Sequence, residues 1–352
     1  MKKRFLLIAF VLIISALCLS SCGKDIQYSS NGDGTCSIIR VESKFCPVLN
    51  LPEKSPDGDI VTKIEVSSLW SCNGLIKVKI PDTVTDIDRA FQDCQWLMNV
   101  KIPDSVTKID GAFGGCNRLK RITIPESVTV IGEGAFLSCT NLKKITLHDG
   151  ITEIGHYAFA GCRSLKQITI PDGVTIIGDQ AFDGCESLKS ITIPDSVTSI
   201  GDFAFTGCAS INDFDIPEGV KHIGRDAFCE TGYYNNESNW DGEALYLDDC
   251  LINVRWTDHN GYPAIESIVD TYEIKSGTRI IAGGVFYYSA YKLKAVVIPS
   301  SVTSIGKEAF NGWRKKDRQV YYAGSNEDFA KISIGEGNEN LLDATFNYNY
   351  SK

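Results

Sequence analysis

Methionine and histidine are nearly missing from this chain, with 2 Met and 4 His among 352 residues. So few imidazoles leave little material for a histidine-based metal or acid–base site. The elbow Gly-x-Ser-x-Gly, the zinc helix His-Glu-x-x-His, the Walker phosphate loop and any Cys-x-x-Cys pair are also absent. His148, His156, His222 and His259 fall at unrelated phases, and the adjacent Asp248 and Asp249 have no pocket motif around them. The chain is therefore expected not to be an enzyme and to use no cofactor or metal. Positive charge is short as well: 35 Lys and Arg against 44 Asp and Glu give a net −9, which argues against nucleic acid as a partner.

No apolar run reaches the ~20 residues that a membrane-spanning helix needs. The longest, Phe5 to Leu19, follows Met1-Lys2-Lys3-Arg4, and that order reads as an export signal. Leu19-Ser20-Ser21-Cys22 resembles the lipobox of bacterial lipoproteins, which implies removal of residues 1–21 and lipidation of Cys22. Loss of Lys2, Lys3 and Arg4 would move the net charge from −9 to −12. Gly23 stands where an Asp often retains lipoproteins at the inner membrane, so an outer-membrane, surface-exposed location is expected, with the lipid as the sole membrane contact.

What the chain has is a period. Cys72, Cys94, Cys116, Cys139, Cys162, Cys185 and Cys208 recur every 22 or 23 residues, each within the same phrase. Such a period means one small unit stacked many times, since a single unit cannot bury its own apolar side. In the copy that starts at Cys185, Leu188, Ile191 and Ile193 are expected to point inward and Ser190 and Thr192 outward. Pro194 ends the strand because it has no N–H to donate. Val197 and Ile200 form a second short strand, and Gly201 suggests a left-handed backbone at a position held by Gly132, Gly155, Gly178, Gly224 and Gly306 elsewhere, and by Asp88 and Asp110 early on. Ala204-Phe205 closes the turn on a short helical piece, with the ring plugging the core between neighbours.

The pattern Cys-x-x-Leu-x-x-Ile-x-Ile-Pro-x-x-Val-x-x-Ile-Gly-x-x-Ala-Phe resembles the BspA-like leucine-rich repeat of bacterial surface proteins, over residues 47 to 352. Pro47–Ile64 resembles the family's entry turn, residues 231–240 a recurrent insert, and residues 320–325 its C-terminal segment. His148 replaces the strand-ending proline, and Thr231 and Trp313 replace the ladder cysteine. The expected fold is a mostly β solenoid: a leucine-rich repeat array of about ten turns of 22–23 residues, with short parallel strands and capped at both ends. Its divisions are a signal peptide (1–21), a tether and cap (22–46), the array (47–230), an aromatic-rich insert (231–277), terminal repeats (278–322) and a C-terminal cap (323–352). The resemblance implies surface recognition or adhesion, most directly of a protein on a host or bacterial surface. A glycan ligand and an envelope-scaffold role are the alternatives.

Two regions are candidate sites. Outward strand positions form two columns: Lys77, Asn99, Arg121, Lys144, Gln167, Ser190, Asp213, and Lys79, Lys101, Thr123, Thr146, Thr169, Thr192, Asp215. They change from basic to acidic along the chain, a gradient able to orient a partner, although a Thr column also suits any solvated strand. The insert carries Tyr233, Tyr234, Trp240 and Trp256, rings fit either to grip a ligand or to cover an interrupted core. The ladder cysteines, one turn (~4.8 Å) apart and pointing the same way, are expected to be buried free thiols. The pairs Cys36–Cys46 and Cys229–Cys250 stay open between disulfides and separate burial. Asn31-Gly32-Asp33-Gly34 reads as a turn rather than a calcium loop. Asp-Ser/Thr-Val at 82–84, 104–106 and 195–197 resembles an O-glycosylation acceptor but coincides with the repeat's own turn.

Overall fold

The computed structural model describes residues 25–42, 46–255, 271–287, 293–313 and 317–351. It is a β-solenoid of about twelve turns built from short, mostly parallel strands. Packing divides it into two compact units: the residues up to Val174 with Gly184–Leu188, and Thr175–Asp183 with the residues from Lys189 onward.

In the N-terminal unit the turns that begin at Asn99, Arg121 and Lys144 each contribute two strands. One parallel ladder joins Val48–Asn50, Lys77–Lys79 and Asn99–Lys101, and another joins Arg121–Thr123 to Lys144–Thr146. The Val-x-x-Ile segments build a separate ladder of Lys108–Ile109, Val130–Ile131 and Glu153–Ile154. An antiparallel hairpin, Ile26–Ser30 with Thr35–Val41, covers its start: the second strand pairs in parallel with Ile60–Ile64. The hairpin turn is made by Asp33, whose Oδ1 accepts from Thr35 N and Oγ1 at 2.9 and 2.6 Å. Those bonds hold its carboxyl below the usual range.

The C-terminal unit continues the Val-x-x-Ile pattern through Ile176–Ile177, Ser199–Ile200 and His222–Ile223. Two of its turns lie beyond the ten legible in sequence. Cys250–Val254, inside the insert, pairs in parallel with Ile280–Ile281, and Ser333–Ile334 pairs with Ser304–Ile305. Both lack the Cys and Ala-Phe phrase, so periodicity does not reveal them. A last ladder stacks Thr271–Glu273, Ala295–Ile298, Gln319–Tyr322 and Thr345–Asn347.

Leucine, isoleucine, alanine and phenylalanine of each turn point inward and are buried. The ladder phenylalanines stack ring on ring. Centroids of Phe91, Phe113, Phe136 and Phe159 lie 5.5 to 5.7 Å apart, and those of Phe182, Phe205 and Phe228 lie 5.4 to 5.6 Å apart, all within 14° of parallel. The cysteines complete this core as hydrogen-bond donors. In five of them Sγ reaches the carbonyl of the phenylalanine one turn back: Cys116 to Phe91, Cys139 to Phe113, Cys162 to Phe136, Cys185 to Phe159 and Cys208 to Phe182, at 3.1 to 3.3 Å. Cys36, Cys229 and Cys250 are free thiols. Cys229 and Cys250 therefore do not pair with each other, and Cys36 is not bonded to Cys46.

The recurrent glycine differs from expectation. Gly132, Gly155, Gly201 and Gly224 are not left-handed; from Phe91 to Phe228 left-handed φ falls two residues before and two after each ladder phenylalanine, as at Tyr157 and Gly161 (55° and 71°) or Phe203 and Gly207 (56° and 70°). Those two positions also stop a helix from forming around Ala-Phe, where the chain makes turns instead. The glycine is required because neighbouring turns approach too closely for a side chain. A Cβ on Gly155 would stand 2.9 Å from the carbonyl carbon of Gly132, and one on Gly201 2.5 Å from Asp179 N.

Two outcomes test this core. Phe136→Ala removes the middle of a stack and should cost about 3–5 kcal/mol in denaturant melts; a loss below about 1 kcal/mol would remove the stack from the account of stability. Burial pushes the Cys139 thiol from its ordinary 9.0 up to about 12. The unfolded thiol ionises first, so its contribution is complete below pH 9.0 and lost as pH rises toward about 12. Urea midpoints should fall across that window, less steeply in Cys139→Ala.

Candidate binding face

The candidate residues of the N-terminal unit sit where alternation places them. Lys77, Lys79, Lys101, Arg121, Lys144 and Thr146 are exposed on three-residue strands whose central Val78, Ile122 and Ile145 are buried. Thr169 keeps the same outward direction, but residues 167–169 form no ladder with a neighbouring turn. In the C-terminal unit Thr192, Asp213 and Asp215 are likewise exposed on extended but unladdered chain. Three-residue strands make only one or two bonds per pair, so slight widening between turns ends the ladder while side-chain alternation persists.

A third row escapes a reading based on strand positions alone. Lys120, Lys143 and Lys166, just ahead of the strand, are exposed, and Lys143 N donates to Lys120 O at 3.0 Å. The recurrent Leu-Lys after each asparagine- or serine-bearing turn is the signal that would have found them. With Lys77, Lys79, Lys101, Arg121 and Lys144 they form a basic face on which none has an ion-pair partner among the described residues. Between Asn50, Lys77, Lys79, Met98, Lys101 and Arg121 the face dips into a shallow concavity of about 400 Å³. In the same unit Arg118 stacks over the Trp96 ring at 3.5 Å. Basic charge, dilute in the composition, is concentrated by the stacking of turns.

The insert uses its rings internally. Thr231 Oγ1 caps the short helix Gly232–Asn235 by accepting from Tyr234 N. Tyr233 Oη donates to Tyr246 O at 2.6 Å, and Trp240 Nε1 donates to Tyr234 O at 2.8 Å. The Trp240 ring meets Tyr234 edge-on at 5.2 Å and is covered by the Arg255 guanidinium at 3.6 Å, itself held bidentately by Glu237. Burial raises the Tyr234 hydroxyl above its ordinary value. Trp256 lies outside the described residues. A second concavity, about 360 Å³, is lined by Tyr246, Tyr272, Asp241, Glu243, Glu273 and Lys275.

The histidines are likewise occupied structurally. His148 fills the missing proline's place by donating from Nε2 to Pro125 O at 3.0 Å while Nδ1 accepts from Gly150 N, and His222 Nδ1 meets Ser304 Oγ at 3.3 Å. His259, like Cys22, lies outside the described residues. Among the described residues no group of three His, Cys, Asp or Glu is placed to hold a metal ion, and no helix is long and apolar enough to cross a membrane.

A family model described as a BspA type leucine rich repeat region matches residues 62–170, 110–235 and 266–318. Among solved structures, a leucine-rich repeat protein from Bacteroides ovatus aligns at 24% identity over 89% of this chain and 75% of its own, with a TM-score of 0.57, a likeness of fold. A leucine rich cell surface protein from Faecalibacterium prausnitzii aligns at 26% identity over 88% and 96%, with a TM-score of 0.43. A Treponema pallidum leucine rich repeat protein gives 27% identity over 61% and 90%, with a TM-score of 0.44. A comparison with curated proteins gives no match.

Because Trp240 is stacked and hydrogen-bonded within its own turn, Trp240→Ala should destabilise the insert by about 2 kcal/mol. Hydrogen exchange at residues 233–247 should rise. Unchanged protection there would show that the ring is free for another use.

Proposed function

The chain belongs to the BspA-type leucine-rich repeat family, and on that premise we propose that it is a displayed recognition protein that binds a protein partner through its N-terminal sheet face. It works by binding rather than by chemistry. The observation that carries this reading is the basic face itself: eight exposed cations in three rows, on or beside the short strands, with no ion-pair partner among the described residues. A solenoid presents such a face without reorganising, so little ordering cost opposes association. The export signal and the lipobox-like Leu19-Ser20-Ser21-Cys22 support display from a membrane through a lipid on Cys22.

A glycan reading has one specific support, the concavity between Tyr246 and Tyr272 with carboxylates at its rim. Aromatic faces beside hydrogen-bonding acids suit sugar rings. The protein-binding reading predicts that the immobilised chain captures a defined protein from extracellular and surface extracts, and that protease digests the chain on intact cells. Capture of nothing beyond a blank resin would refute the binding reading, and protection until lysis would refute surface display.

A further inference from the structure

The eight cations of the N-terminal face stand exposed in a protein of net charge −9. Stacked turns lie about 4.8 Å apart, inside the ~8 Å screening length at physiological salt, so adjacent rows reinforce one another's potential. Their mutual repulsion is relieved by an anion laid across the turns. One edge of the same face is apolar, since Val48, Ile76 and Met98 are 37%, 37% and 36% exposed. Met98 N donates to Ile76 O at 2.9 Å, which sets these two side chains on consecutive turns beside the lysine rows.

We propose that this face seats an extended acidic segment of the partner protein, with carboxylates over Lys101, Arg121 and Lys144 and an aliphatic side chain on the Val48–Ile76–Met98 edge. The inference rests on the protein-binding reading above and names the chemistry of its partner. The apolar edge favours a polypeptide over a sulfated polysaccharide or a nucleic acid, neither of which has aliphatic side chains to seat there. Exposed carboxylates at Asp82, Asp104 and Glu126, just beyond each strand's closing proline, confine the footprint to the strand rows. Same-side residues of an extended chain recur every ~6.8 Å against the ~4.8 Å pitch of the turns. The contact therefore tolerates shifts of register and depends on flexible lysine stems. Such a contact forms fast under electrostatic steering and weakens with salt.

The test uses the purified full chain and a fluorescein-labelled peptide of about ten glutamates around two leucines, its glutamine counterpart, heparin and duplex DNA. Anisotropy at about 50 and about 300 mM salt should give binding of the glutamate peptide that weakens at least about tenfold at the higher salt. The triple variant Lys101→Glu/Arg121→Glu/Lys144→Glu should lose at least about tenfold, whereas Lys221→Glu, an exposed control in the C-terminal unit, should bind like wild type. All variants should share one melting midpoint, because the changed side chains are exposed. Equal binding by the triple variant or by the glutamine peptide, or binding of heparin or DNA without the glutamate peptide, overturns the proposal. A natural partner captured equally by wild type and triple variant overturns it too while leaving the protein-binding reading intact; capture by neither, with no peptide bound, removes both.

Discussion

The carbonyl of a ladder phenylalanine accepts two bonds: Phe113 O takes Cys116 N at 3.1 Å from its own turn and Cys139 Sγ at 3.1 Å from the next. That shared acceptor satisfies a buried polar group on both of its lone pairs, and it fixes the distance at which the next turn can dock. Ring stacking and the missing Cβ at Gly155 or Gly201 are set by the same spacing. A bulkier residue than cysteine would push turns apart, and a purely apolar one would leave half the acceptor unused. The chain therefore holds a small, weakly donating side chain at this point through successive turns. Where the phrase breaks, the donor turns to another acceptor: Thr231 Oγ1 bonds Phe228 O of its own turn at 2.8 Å, and Trp313 Nε1 bonds Leu293 O at 2.6 Å.

Because the inward positions are so constrained, variation is left to the outward ones. Each turn offers solvent only a few side chains, and their identity costs the core little. Stacking then multiplies any bias among them, so a row of single lysines becomes a continuous charged stripe. The N-terminal face uses this freedom, while in the insert Arg255, Trp240 and Glu237 are tied to one another. A charged or aromatic side chain with no internal partner is available to a ligand, and one already paired must be released first.

Much of the fold was legible from residues such as Leu188, Ile191 and Ile193, because strand alternation is local and the period repeats it in register. Burial follows the expected pattern even at residues 190–192, where no ladder forms. The left-handed positions were misplaced, since glycine serves two needs that look alike in sequence: a positive φ and room for a neighbouring backbone. Gly155 and Gly201 meet the second need, whereas Tyr157 and Phe203 adopt the strained backbone without glycine's help. The turns at Cys250–Leu251 and Ser333–Ile334 were hidden because they omit the Ala-Phe plug that marks the period.

The sequence by itself determined that this chain stacks, what its core is made of and which side chains face outward, because each depends on local alternation and a fixed period. Only the tertiary structure decided which cations have partners, where the ladder lapses and how the insert's rings are spent. Those outcomes depend on atoms well separated along the chain, such as Arg255 upon Trp240 or Lys143 beside Lys120. Composition averages charge over the whole molecule; stacking gathers it onto one face.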